Sequence, residues 1–225
     1  MTRQPGPPSP VTPLVLARLL LLLVPVRVLV GVTLVVLQGG AAAGAGEFGC
    51  AGPFGRDASH VGLIAAFGAA NVRTESAFVH GETRPMTIVF PGDPERRLMV
   101  HWVDGDGLRT LGFVVIQSPG WSIGGLAIGM PIAEVERVNG RPFRVTDFLG
   151  SGHDGEVRSW QGGRLEAALP GGCRIGAVLG INDVDVDTTR FSSHPDGLSS
   201  NDEALRGADP RLYELTVYFP DGAAR

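Results

Sequence analysis

The stretch "LAIGMPIAEVERVNGRPF", Leu126 to Phe143, decides how the second half of this chain is read. Pro131 suits the first turn of a helix, where its missing N–H is not needed. Ile132, Val135 and Val138 follow at helical spacing, and Asn139-Gly140 supplies a stop. Beyond it come β-rich runs, "FRVTDFL", "EVRSWQ", a Gly162-Gly163 turn, "RLEAAL", "CRIGAVLG" and "LYELTVYF".

The same order occurs earlier. Ser59 caps "HVGLIAAFG", with Val61, Ile64, Ala65 and Phe67 expected on one side and Gly68 ending the run. "SAFVHG", "RPMTIVF", "RLMVHWV" and "LRTLGFVVIQ" follow as strands, the last two joined by a hairpin turn at "DGDG", Asp104 to Gly107. A recurrence of helix, glycine and strands predicts an α+β fold of two tandem units, each a short helix or helical hairpin packed on a small antiparallel sheet. The units span 46–120 and 121–225, after an N-terminal segment 1–45.

That segment is apolar from Leu14 to Leu37 apart from Arg18, Pro25 and Arg27. A mid-span arginine costs about 2.5–3.5 kcal/mol on insertion scales, which disfavours a transmembrane helix. "VLVGVTLVVL" has the length of a signal-peptide core, and Ala43-Gly44-Ala45 forms an A-x-A cleavage site. The expected location is therefore exported, periplasmic or extracellular; the alternative is an inner-membrane anchor over residues 14–37, which would then be the sole membrane contact. Export places Cys50 and Cys173 in an oxidising compartment, where a disulfide between them is expected. The other reading of Cys50 is a lipid acceptor, opposed by Glu47 and by its distance from the apolar core of the leader.

All 19 basic residues are Arg, which excludes P-loop lysines, Schiff bases and Ser-Lys dyads. The net charge is −4, and Arg3, Arg18 and Arg27 lie in the leader, so the remainder is more acidic still. No basic run is present, so nucleic acid is not an expected partner. No cofactor is expected.

Four features invite chemistry. Gly120-Trp121-Ser122-Ile123-Gly124 fits G-x-S-x-G, and Asp183, Asp185 or Asp187 with His194 would complete the hydrolase order. The motif, however, follows Pro119, and the next helix begins only near Pro131, so Ser122 is not expected at a strand-to-helix elbow. "NDVDVDTT" offers the first ligands of a calcium loop, but Thr188 and His194 stand where Gly and a bidentate Glu belong. Ser151, His153 and Asp154 are too close in sequence to converge on one atom. His80 and His101 are isolated in strands, and Trp102, Trp121 and Trp160 read as core unless one is exposed on a binding rim. Residues 188–209 read as a long connection.

"LAIGMPIAEVERVNGRPF" resembles the G-M-(three or four residues)-E-V-(few)-G-x-P signature of small secreted domains similar to the SmpA/BamE lipoprotein and the β-lactamase-inhibitor-protein group. With "HDGEVRSWQGGRL" and "FGAANV" it also resembles motifs of exported bacterial proteins without an assigned activity, over most of 52–219. The resemblance implies structural roles for Gly129, Pro131, Asn139, Gly140, Pro142, Phe143 and Trp160, and a binding, envelope-structural or inhibitor-like protein with an unknown protein partner. The secreted serine hydrolase using Ser122 is the alternative.

Overall fold

A computed structural model describes residues 46–79, 81–148, 154–183, 185–187, 191 and 196–220. The leader, His80, Ser151, His153 and His194 lie outside the described residues.

Strand β1 (Gly46–Glu47) precedes helix α1 (His60–Phe67) and a meander of β2 (Val72–Val79), β3 (Glu82–Val89), β4 (Leu98–Asp104) and β5 (Arg109–Ile116). The chain continues through β6 (Trp121–Ile123), β7 (Leu126–Ala127), α2 (Ile132–Asn139), β8 (Arg144–Val145), β9 (Asp154–Ser159) and β10 (Arg174–Gly180). It ends with β11 (Leu198–Ser199), α3 (Glu203–Gly207) and β12 (Arg211–Tyr218).

Nine strands form one sheet in the order β11-β8-β9-β10-β12-β5-β4-β3-β2, antiparallel throughout. A second sheet, β1-β6-β7, has three strands. The expected α+β fold of two helix-on-sheet units is thus overturned. Among the described residues the fold is mostly β, with three short helices, and the sheet crosses the 120/121 boundary where β5 pairs with β12 from Phe113↔Tyr218 to Ile116↔Leu215. Alternation reveals that a strand is present and which face is buried, but not its partner. Here the last strand of the chain lies beside β5, so both halves feed one core.

That core lines the inner face of the sheet. Leu98, Val100, Trp102, Val114, Ile116, Ile175, Ala177, Leu215 and Val217 join Leu63 of α1 and Ile132 and Val135 of α2 in a single cluster. Ser59 caps α1 by accepting from the Gly62 N–H at 3.1 Å. The expected apolar stripe of α1 is corrected: Leu63 is the buried residue, Ile64 and Phe67 are half-buried, and Val61 and Ala65 are exposed. A helix apolar on every side does not declare its inner face. On α2 the pattern is legible, with Glu134 in the first turn, Arg137 in the last and Gly140 left-handed at φ 83°.

Two local readings also change. "RLEAAL" contains a 3-10 turn, Arg164–Glu166, rather than a strand. The stretch 188–209 contains β11 and α3, the latter capped by Asp202, which accepts from the Leu205 N–H at 3.0 Å. Pro85 ends the β3–β4 ladder at Met86↔His101, because alternation would require its missing N–H to reach β4.

The Cys50–Cys173 disulfide is present, with both residues buried, and it ties the segment after β1 to the start of β10. Around β1 and β6 lies a closed circuit of rings: Phe48 against Phe54, Phe54 against Phe67, Phe67 against Phe90, Phe90 against Trp121, and Trp121 against Phe48. Trp121 also donates to the Arg96 carbonyl at 2.9 Å. The crossing from β5 toward α2 is held by packing and by this bond.

Candidate functional site

The residues quoted around α2 converge. Asn139 is buried, with 1% of its surface exposed. Its amide donates to the carbonyls of Arg141 and Trp160, each at 2.9 Å, and its Oδ1 accepts from the Leu165 N–H at 3.2 Å. Gly163 is required there, because a Cβ would lie 2.2 Å from Oδ1 of Asn139. Trp160 donates to the Ile175 carbonyl at 3.1 Å and packs on Phe143, ring centroids 5.2 Å apart. Gly129 and Met130 exchange backbone hydrogen bonds with Leu212, and Pro131 forms a bridge with Arg211, so this segment docks on β12. Pro142 is exposed. A second polar group lies alongside: the Ser200 hydroxyl donates to Glu136 at 2.5 Å, accepts from the Phe143 N–H, and Arg206 donates to the other Glu136 oxygen at 2.7 Å. These contacts brace the fold; neither group opens a reaction centre.

Ser122 is in β6, between β1 and β7, and its carbonyl accepts from the Phe48 N–H. The turn after it is a Gly124-Gly125 hairpin into β7 rather than a helix. Among the described residues no carboxylate or imidazole bonds to its hydroxyl. Asp183 accepts from the Asp185 N–H in a local turn, and among the described residues no group of three or more His, Cys, Asp or Glu is placed to hold a metal.

The feature that can do something is the outer face of the large sheet, opposite the core. Register aligns two rows across it. One runs Arg73, Ile88, Met99, Val115, Thr216, Gly176; the other runs Glu75, Met86, His101, Phe113, Tyr218, Arg174. Met86, Ile88 and Val115 are buried, yet they stand outside the main core cluster. Glu75, the cross-strand partner of Met86, forms an ion pair with Arg97. His101 stacks on Phe113 with centroids 4.2 Å apart and planes inclined 12°. Burial holds the His101 imidazole below its ordinary pKa, because the charged form loses hydration there.

Toward β9 the face becomes polar. A groove of about 830 Å³ lies over β9, β10 and β12, lined by Glu156, Arg158, Arg174, Glu214, Thr216 and Tyr218. Gly176 leaves its floor low. Gln117 on the strand end of β5 donates to Glu214 at 2.9 Å, linking the groove to the apolar rows. The arrangement is a half-buried aromatic surface bordered by both signs of charge. Sequence reasoning assigned His101 to an isolated strand position; the row it belongs to was not visible, because cross-strand register is a tertiary property.

The chain matches no protein-family model and no curated protein. Among solved structures it is similar to the crystal structure of the uncharacterized protein yfeY from Escherichia coli, at 14% identity and a TM-score of 0.41, over 78% of this chain and 95% of that one.

Proposed function

We propose that the chain is an exported, non-enzymatic protein of the cell envelope that binds another protein, in a structural or inhibitor-like role, through the outer face of its large sheet. The observation that carries this reading is the row Met86, His101, Phe113, Tyr218, Arg174, an apolar and aromatic ladder across five strands with no described element packed over it. The chemistry of the face defines its partner: a folded surface with an apolar projection, bordered by charges complementary to Arg73 and Arg97 on one side and Arg174 and Glu156 on the other.

Export is supported by the buried disulfide, since such bonds persist in oxidising compartments. The resemblance of residues 126–143 to SmpA/BamE-like and β-lactamase-inhibitor-protein-like domains belongs to the same proposal.

The test is cross-linking and capture from the native envelope, comparing the parent chain with a Phe113→Arg, Tyr218→Glu variant and with Val61→Arg on the exposed side of α1. The reading holds if a protein is captured by the parent and by Val61→Arg but lost with the face variant at unchanged circular dichroism. Capture by all three alike, or by none, overturns it.

A further inference from the structure

The two edges of the nine-stranded sheet differ. β11 has two residues, whereas β2 has eight, in continuous register with β3 and with no bulge. Among the described residues no strand pairs with the outer side of β2. The bond from the Phe90 N–H to the Asn71 carbonyl sets the alternation: Asn71, Arg73, Glu75 and Ala77 turn their backbone groups toward β3. The N–H and C=O groups of Val72, Thr74, Ser76 and Phe78 therefore point away from the sheet. Phe78 is 76% exposed.

Natural sheets blunt such edges with unpaired charges, Pro, bulges or short strands. β2 is long, without Pro or a bulge. Its only charges are Arg73 and Glu75, which bond to each other. Opposite charges two residues apart on one face are self-complementary in an antiparallel pair. With Thr74 opposite Thr74 of a second copy, each Arg73 meets the other copy's Glu75, and outward-facing groups meet outward-facing groups at Thr74 and between Val72 and Ser76. Phe78 then lies opposite Ala70. Shifting the register by one step brings Glu75 against Glu75 in one direction and Arg73 against Arg73 in the other, which like-charge repulsion disfavours.

We infer that two copies of this chain associate edge to edge through β2, antiparallel and two-fold symmetric about Thr74, so that their large sheets join. The contact is isologous and closes on itself, giving a dimer rather than a fibre. One strand from each copy is a small contact beside the ~1,200–2,000 Å² of a stable interface, so the dimer forms reversibly with rising concentration. This inference concerns the backbone edge of β2; of the residues of the proposed binding face it uses Arg73 and Glu75.

Sedimentation velocity on the full chain, exported by its own leader and purified, tests it across a concentration series. The weight-average mass should rise toward twice that of one chain. Thr74→Pro removes an outward N–H that β3 does not use and should hold the chain monomeric. Glu75→Arg, which sets guanidinium against guanidinium, should weaken association, and adding Arg73→Glu to it should restore the dimer. Thr74→Cys should oxidise to a covalent dimer, since opposed residues of a hydrogen-bonded pair stand about 5.5 Å apart at Cα, within disulfide range. Should Thr74→Pro fail to fold, the charge series decides. A single-chain mass at every concentration overturns the inference, as would follow if residues 1–45 or a strand of a different protein took the edge. So does a dimer unchanged by Thr74→Pro, or one that the charge swap does not restore.

Discussion

Asn139 at the end of α2 donates a 2.9 Å hydrogen bond to the carbonyl of Trp160, 21 positions later in the chain. The same amide group serves Arg141 and Leu165, so one side chain satisfies three backbone groups, those of Trp160 and Leu165 buried. Asn139→Ala removes this partner from all three and leaves the two buried ones away from water. We expect a loss of about 3 kcal/mol, read from the urea midpoint at unchanged slope. Asn139→Asp should also destabilise, because a carboxylate keeps the acceptor for Leu165 but cannot donate to two carbonyls.

Gly163→Ala tests the same lock from the other side. Its Cβ would fall within 2.4 Å of three atoms of the Asn139 side chain. The variant should lose about 2 kcal/mol or more by displacing the amide. Gly92→Ala, where nothing lies within 4 Å, is the control and should leave the thermal midpoint close to that of the parent.

The disulfide closes a sequence separation of 123 residues. In the loop-entropy model a bridge of that span stabilises by about 5 kcal/mol. Cys50→Ser with Cys173→Ser should therefore lower the unfolding midpoint strongly. Because both cysteines are buried, dithiothreitol alone should reduce the native protein slowly, and dithiothreitol with urea quickly. Mass spectrometry after alkylation measures both rates.

His101 makes stability depend on pH. Its folded-state pKa is lowered by burial, so the unfolded chain binds the proton more readily. The stabilisation is full above the unfolded value of about 6.5 and is lost as pH falls through that value toward the folded one. His101→Asn should flatten this part of the stability profile below about pH 7, measured by denaturant titration at each pH.

Ser122→Ala should leave stability within about 0.5 kcal/mol of the parent, since its hydroxyl makes no bond among the described residues. Ester turnover by the purified chain should be the same before and after the substitution. Turnover lost with that single hydroxyl would restore the hydrolase reading.

The outcome at α2 shows what local patterning conveys. Helical spacing, a proline at the start and a glycine able to take a left-handed turn placed the element within a residue of its observed position. The Asp104–Gly107 hairpin was legible for the same reason, because turn chemistry acts over a few neighbouring residues. At α1 the pattern was weaker, and Leu63 rather than Val61 turned inward.

The sequence by itself determined the local elements of this protein: two short helices with their start and stop signals, and most of its strands. Tertiary structure alone decided that β12 lies beside β5, which merges both halves into one sheet, and that Asn139, Trp160 and Gly163 meet. It also decided that His101, Phe113 and Tyr218 share one face of the large sheet. The physical reason is that strand identity depends on side-chain alternation, which is local, whereas strand pairing depends on which distant edge is left to satisfy backbone N–H and C=O groups. That choice belongs to the whole chain and is written in no single segment.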